Sequence, residues 1–130
     1  DTDRRALVLG TGGVSKAVQY ALRNMGIDYT LVSRHAQGDV LGYDMLSAEV
    51  MAAHTLIINC TPLGMLPDVD TLPDIPYTLL TDRHMLYDCV YNPAITAFLR
   101  AGQQHEARTI NGLDMLYAQA DIAWEIWNNK

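Results

Sequence analysis

Short apolar runs alternate with amphipathic stretches along this chain of 130 residues. Several runs are almost uninterrupted, which is typical of parallel strands that are buried on both faces. The predicted strands are Arg5–Leu9, Tyr29–Ser33, Thr55–Asn59, Met85–Val90 and Ala107–Ile110, and residues 40–43 fit a short additional strand. The alternation of strands with helical stretches predicts βαβ units with right-handed crossovers.

Between these runs, apolar residues recur at the spacing of one helical face. The predicted helices are Gly13–Met25, Met45–Ala53, Thr96–Ala101 and a long final helix from Asn111 to about Trp127. Gly26 and Gly102 are the expected ends of the first and third helices. Ser47 is a candidate cap near the start of the second helix, and Asn111 caps the last. Residues 66–76 are rich in proline and aspartate, which predicts an irregular surface segment. We expect one domain over residues 1–130.

Charge and composition exclude several classes of function. The formal net charge is −6, and the basic residues are scattered, so the chain lacks the basic face that nucleic-acid binding requires. No apolar run approaches the roughly 20 residues of a transmembrane helix, and no leader-like segment opens the chain. We therefore expect a cytoplasmic protein, monomeric or homodimeric. The start at Asp1, shortly before the first strand, suggests a piece of a longer protein.

A glycine-rich loop, Gly10-Thr-Gly-Gly-Val-Ser15, joins the first predicted strand to the first helix. Its G-x-G-x-x-S spacing is a dinucleotide-binding fingerprint, in which Gly10 permits the tight turn and Gly12 lets the backbone approach a pyrophosphate. A small residue at Ser15 allows close packing of helix and sheet. The alternative is a purely structural turn. With the strand before it and the helix after it, the loop favours nucleotide binding and a Rossmann-like α/β three-layer sandwich with a mainly parallel sheet of about six strands.

The end of the second strand indicates which dinucleotide is bound. An NAD-preferring domain carries a carboxylate about 20 residues past the fingerprint, whereas this chain has Ser33-Arg34-His35 there. A guanidinium is a planar, permanently charged fork that suits a 2′-phosphate. The sequence therefore predicts NADP, held by Gly10, Thr11, Gly12, Gly13 and Val14 at the pyrophosphate and by Ser33 and Arg34 at the adenosine end. The alternative for Arg34 is a solvated surface charge.

Two further strand ends carry polar residues. Asn59 and Thr61 fall at the carboxyl end of a strand, where ligands lie in open α/β sheets, although Asn59 could equally cap a turn. Asp88 lies in an apolar strand, so we expect either a hydrogen-bonded structural role or a role in the site. Cys60 and Cys89 fit reduced thiols rather than a disulfide or a zinc site. The remaining histidines, His54, His84 and His105, are expected on the surface, and no metal site is predicted.

Taken in order, these segments resemble the C-terminal cofactor domain of the shikimate dehydrogenase family. The matching segments are LGTGGVSKA (9–17), VSR (32–34), IINCTPLGM (57–65), YDCVYNP (87–93) and NGLDMLYAQA (111–120). They are similar to the family's G-x-G-G-x-S/A-R/K-A/G, N-R-T/S, I-N-A-T-P-x-G-M, D-x-x-Y-x-P and G-x-x-M-L-x-x-Q-A motifs. The chain departs from the family pattern at Ser33, at Cys60 and Cys89, and near Gly38, where a second basic residue is usual.

This resemblance implies the NADPH-dependent, reversible reduction of 3-dehydroshikimate to shikimate by the full-length enzyme. It also implies that residues 61–65 line the cofactor cleft, that Cys89 and Gly112 lie near the nicotinamide, and that Tyr91 and Gln119 reach the substrate. The family's catalytic Lys/Asp pair lies in a separate N-terminal domain. Neither of the chain's two lysines, Lys16 and Lys130, can be that catalytic lysine, so no catalytic residue is expected here.

Two alternatives stay open. One is a quinate/shikimate dehydrogenase relative, which uses a similar domain and can accept NAD. The other is a non-catalytic module that senses nucleotides or has lost its nucleotide site. Intact glycines and Arg34 argue against the second, and stabilisation by NADPH would exclude a module that no longer binds nucleotide.

Overall fold

A six-stranded, wholly parallel sheet forms the centre of the structure, a computed structural model that describes residues 5–90 and 92–111. The elements in chain order are β1 (Arg5–Leu9), α1 (Gly13–Asn24), β2 (Asp28–Ser33), β3 (Leu41–Gly42), α2 (Ala48–Ala53), β4 (Leu56–Asn59), β5 (Met85–Asp88), α3 (Ala97–Gln104) and β6 (Arg108–Asn111). Short 3-10 turns at Tyr43–Met45 and Tyr77–Leu79 complete the connections. The predicted final helix lies outside the described residues except for its expected cap, Asn111, which is instead the last residue of β6.

The strand order is β3-β2-β1-β4-β5-β6, which is the doubly wound order of dinucleotide-binding folds. The chain first proceeds outward from β1 to β3, then returns to the other side of β1 to build β4, β5 and β6. The order therefore reverses between β1 and β4. In such sheets the ligand crevice lies outside the carboxyl ends of the two strands at this reversal, so the topology alone places a candidate site after Leu9 and Asn59.

Side chains of the central strands alternate between two buried layers. On one face Leu7 and Leu9 of β1 pack with Ile57 of β4 and Phe98 of α3, all at most 1% exposed. On the opposite face Ala6 and Val8 pack with side chains from α1 and β4, namely Val18, Leu22, Leu56 and Ile58. Burial on both faces explains why these strands are almost continuously apolar.

The predicted helix ends differ from the structure by more than one residue at two places. Helix α2 begins at Ala48 because Ser47 is its cap, and its side chain accepts a hydrogen bond from the Val50 amide; Met45 belongs to the preceding 3-10 turn. Helix α3 does not stop at Gly102 but continues to Gln104. Gly102 is instead a packing residue, because a Cβ there would lie 2.6 Å from Cδ2 of Leu86 in β5.

The prediction that the histidines lie on the surface was wrong for two of them. His54 and His84 are 7% and 3% exposed. The His54 ring lies 2.9 Å from the Thr30 hydroxyl of β2 and 2.8 Å from the Val50 carbonyl of α2. The His84 ring accepts from the Thr81 amide and lies 2.8 Å from the Met51 carbonyl. Both rings connect α2 to neighbouring segments. The sequence gives no sign of these contacts, because each histidine stands alone in it.

Within the described part of the chain, no helix is long and apolar enough to cross a bilayer.

Candidate functional site

The loop after β1 turns sharply at Gly10, next to the end of β4. Gly10 has a φ of +104°, which only glycine adopts readily, and its amide donates to the Val32 carbonyl at 2.8 Å. A Cβ at Gly10 would lie 3.1 Å from Cγ2 of Thr61 and 3.4 Å from backbone atoms of Cys60. The two loops at the strand-order reversal are thus in contact, and a larger residue at position 10 would separate them.

The next turn of backbone faces open space. Gly12 is the N-cap of α1 and has no side-chain cap, and the first turn of the helix contains no acidic residue. A Cβ built on Gly12 or Gly13 would meet nothing within 4 Å. The first-turn amides of a helix have no intrahelical partners, and they carry partial positive charge. This end of α1 therefore has room and electrostatic attraction for an anionic group such as a pyrophosphate.

Side-chain burial around the loop separates packing residues from surface residues. Ser15 is fully buried, as expected for a small residue between helix and sheet, and its hydroxyl accepts from the side-chain amide of Gln19 at 3.1 Å. Thr11 is exposed, and Val14 is 50% exposed. Val14 lies in the first turn of the helix, so its side chain borders the open space above Gly12.

Arg34 follows directly after β2 and is exposed. Its neighbour across the sheet is Tyr43, because β2 and β3 are paired through Ser33 and Gly42. Burial raises the pKa of Tyr43 above its usual value, and the nearby Arg34 guanidinium partly offsets that rise. The Ser33 hydroxyl accepts from the His35 amide at 3.3 Å. A free guanidinium and a phenol thus flank the carboxyl ends of β2 and β3.

The end of β4 is organised by the side chain of Asn59, which is fully buried. Its oxygen accepts from the Thr61 amide at 3.0 Å and from the Thr61 hydroxyl at 2.6 Å. Its nitrogen donates to Asp88 at 3.0 Å and to the Leu63 carbonyl at 3.4 Å. These are the interactions of a turn-capping amide, the alternative left open from the sequence. They hold Thr61, rather than Asn59, at the surface of the crevice.

Asp88 connects three segments beneath the crevice. Besides Asn59, its fully buried carboxylate accepts from the Val90 amide at 2.9 Å and from the Thr96 hydroxyl at 2.5 Å. Thr96 also caps α3 by accepting from the Leu99 amide. Burial raises the pKa of Asp88, while the hydrogen bonds from Thr96, Val90 and Asn59 act in the opposite direction. The structure thus shows the hydrogen-bonded structural role for this carboxylate.

The two cysteines, which lie far apart in the sequence, are neighbours in the structure. Cys60 and Cys89 directly follow the paired strand ends Asn59 and Asp88, and their sulfur atoms lie 3.9 Å apart. Both are free and partly buried. The hydrogen bond with Cys89 and burial raise the pKa of Cys60. Neither predicted strand indicates by itself that the two cysteines are close. Aligning the carboxyl ends of the two adjacent predicted strands would have indicated it.

Other features lie away from this crevice. A cavity of 680 Å³ opens at the amino ends of β1 and β2, at the opposite edge of the sheet, and is lined by Arg5, Arg23 and Tyr29 among others. In the part of the chain that is described, no three metal-ligating side chains cluster. Tyr91, Gly112 and Gln119, which were expected near nicotinamide or substrate, lie outside the described residues.

Curated relatives align with this chain over nearly its whole length. A shikimate dehydrogenase (NADP(+)) of Desulforamulus reducens is 32% identical over 95% of this chain, and one of Carboxydothermus hydrogenoformans is 35% identical over 97%. These alignments cover 49% and 50% of the two relatives, so the chain spans about half the length of the curated relatives it matches. No protein-family model matches the chain.

Solved structures share its fold. The crystal structure of the Thermus thermophilus shikimate 5-dehydrogenase, described as a complex with NADP(H) and shikimate, superposes with a TM-score of 0.71 at 30% identity. The match covers 96% of this chain and 49% of that protein. Sequence and fold comparisons thus both find shikimate dehydrogenases, and the predicted Rossmann-like class is confirmed.

Proposed function

We propose that this chain, which aligns with shikimate dehydrogenases over about half of their length, belongs to that family and binds NADP in the crevice between the loops after β1 and β4. The observation that carries the proposal is the open, uncapped start of α1 beside Gly12 and Gly13, at the strand-order reversal. A residue larger than glycine would fill that space. The cradle therefore fits a pyrophosphate, which the first-turn amides and the helix dipole would hold.

The individual contacts are part of the same proposal. Gly10, Thr11, Gly12, Gly13 and Val14 would surround the pyrophosphate, and Ser33 and Arg34 would hold the phosphorylated ribose. Thr61, with Asn59 fixing its position, and Cys89 would border the central part of the cofactor. Arg34 is the one charged group among these residues, so it would set the preference for NADP over NAD.

For the full-length protein we propose the family reaction, in which NADPH and 3-dehydroshikimate give NADP and shikimate. The nicotinamide carries the hydride chemistry in such enzymes, and the protein positions it. The family's Lys/Asp pair has no counterpart among the residues of this chain. Gly112, Tyr91 and Gln119 remain proposed contacts to nicotinamide and substrate. Cytoplasmic location and a monomeric or dimeric state belong to the same proposal.

The test is a calorimetric titration of this chain with NADPH and with NADH. Arg34→Ala removes charge-assisted hydrogen bonds worth about 1.5–3 kcal/mol, so NADPH binding should weaken about 10- to 150-fold while NADH binding changes little. Arg83→Ala is the matched control, because Arg83 is an exposed arginine in the turn before β5, at the opposite edge of the sheet. Equal affinity for both dinucleotides, unaffected by Arg34→Ala, would refute the NADP assignment.

A second candidate is a quinate/shikimate dehydrogenase relative that uses NAD. It is favoured by the segment after Arg34, where Gly38 has a φ of +58° in a tight turn closed by a Gln37–Val40 bridge. No second lysine or arginine stands there to share a 2′-phosphate. Tighter binding of NADH than of NADPH, together with quinate oxidation by the full-length protein, would select this candidate.

A further inference from the structure

The sulfur atoms of Cys60 and Cys89 are brought together by the strand ladder itself. The Cys60 amide donates to the Leu9 carbonyl at 2.9 Å, and the Cys89 amide donates to the Asn59 carbonyl at 3.0 Å. These bonds extend the pairing of β1, β4 and β5 by one residue at the carboxyl end. The positions of both cysteines are therefore set by the sheet rather than by a loose loop.

That placement gives the two backbones a spacing compatible with a disulfide bond. Neighbouring strands in a sheet lie about 4.8 Å apart, which falls inside the range of about 4.4–6.8 Å between the Cα atoms of bonded cysteines. The sulfurs, now 3.9 Å apart, must approach to about 2.05 Å. Side-chain rotation can supply this approach while the ladder stays intact, and both side chains are partly exposed.

We propose that Cys60 and Cys89 form a redox-active dithiol that small-molecule disulfides oxidise to an intramolecular Cys60–Cys89 disulfide. One cysteine, as its thiolate, attacks the oxidant, forms a mixed disulfide and releases one thiol. The second thiolate then attacks the protein sulfur of that mixed disulfide and releases the other thiol. The cysteine pair loses two electrons and two protons, and the oxidant is reduced to two thiols.

The bond would form beside the crevice and join its two adjacent walls. Backbone atoms of Cys60 lie 3.4 Å from where a Cβ on Gly10 would stand, so this pair adjoins the glycine loop. Oxidation would covalently link the ends of β4 and β5, which are otherwise joined by the backbone ladder and by the side-chain hydrogen bond from Asn59 to Asp88. The reaction needs no bound dinucleotide, so disulfide formation does not depend on the proposed function.

The experiment incubates the reduced chain with oxidised glutathione at mildly alkaline pH, since the raised pKa of Cys60 slows reaction at neutral pH. Acid-quenched samples are analysed by intact-mass and peptide mass spectrometry, alongside Cys60→Ala and Cys89→Ala. Folding of each variant is checked by circular dichroism.

The wild-type chain should become lighter by two hydrogen atoms, yield a linked Cys60–Cys89 peptide and return to its starting mass with dithiothreitol. Each single variant should instead retain one glutathione, because it lacks the resolving thiol. Stable glutathione adducts on the wild type, two unreacted thiols or a disulfide-linked dimer would each overturn the proposal. NADPH titration of the reduced chain, run in parallel, reports separately on the proposed function.

Discussion

Replacing Gly12 with alanine should separate nucleotide binding from folding. Gly12 has a φ of −80°, which any residue adopts, and a Cβ there meets nothing within 4 Å. The cost to the fold is therefore limited to exchanging glycine for alanine at an N-cap, about 1 kcal/mol or less. The added methyl group would project where the pyrophosphate must approach the helix. Overpacking of this kind costs about 1–3 kcal/mol, which weakens binding about 5- to 150-fold.

Gly10→Ala should behave in the opposite way. Its φ of +104° imposes a strain of about 1–3 kcal/mol on a residue with a Cβ, and the new methyl group would crowd Thr61 at 3.1 Å. We expect a clear loss of stability, with any loss of binding a consequence of the distorted loop. Gly26→Ala is the control for strain alone, because Gly26 has a φ of +71° with open space around it, at the far end of α1.

The assay combines urea unfolding of the three variants with NADPH titration by calorimetry. Gly12→Ala should unfold nearly as the wild type does yet bind NADPH poorly, whereas Gly26→Ala should lose stability and retain binding. Wild-type affinity in Gly12→Ala would refute the reasoning, because it would show that the dinucleotide does not approach the start of α1.

Three further predictions concern the framework of the site. Asp88→Leu removes the acceptor of hydrogen bonds from three buried groups, so the free energy of unfolding in urea should fall by at least about 3 kcal/mol; a loss below about 1 kcal/mol would contradict the network. Burial raises the pKa of Asp88, so the folded chain holds the carboxyl proton more tightly than the unfolded chain does. The stability that this carboxyl contributes therefore falls as the pH rises from the ordinary pKa of 3.8 through the raised pKa of the folded state. Unfolding at a series of pH values should therefore show the wild type losing stability relative to Asp88→Asn across that window, and parallel curves would disprove the sign. Gly102→Ala should lower stability by about 1–3 kcal/mol by crowding Leu86, and an unchanged thermal midpoint would show that the helix moves away freely.

Strands β1, β4 and β5 were predictable because they are buried on both faces, and β2 was predictable from its β-branched and aromatic residues. The predicted Arg5–Leu9 agrees with β1, and the predicted strands at 29–33 and 55–59 differ from β2 and β4 by one residue at their start. The glycine loop was equally predictable, since the tight turn requires glycine at position 10 and the open start of the helix requires it at position 12. Local pattern and global fold agree at these positions.

Long-range contacts were not predictable from local pattern. Gly102 looks like a helix stop, yet it lies inside α3 because Leu86 of the adjacent strand leaves no room for a side chain. His84 looks like a surface residue, yet its ring lies buried between Thr81 and Met51. Such roles depend on which distant element packs against the residue, and that information is absent from local spacing.

The central claim is that the start of α1 and Arg34 together hold a phosphorylated dinucleotide. A crystal of this chain soaked in NADPH tests it most directly. The account predicts electron density for the pyrophosphate against the backbone of Gly12 and Gly13, with the 2′-phosphate within hydrogen-bonding distance of the Arg34 guanidinium. Density for the dinucleotide elsewhere, or a glycine loop closed by side chains and empty at saturating NADPH, would contradict it.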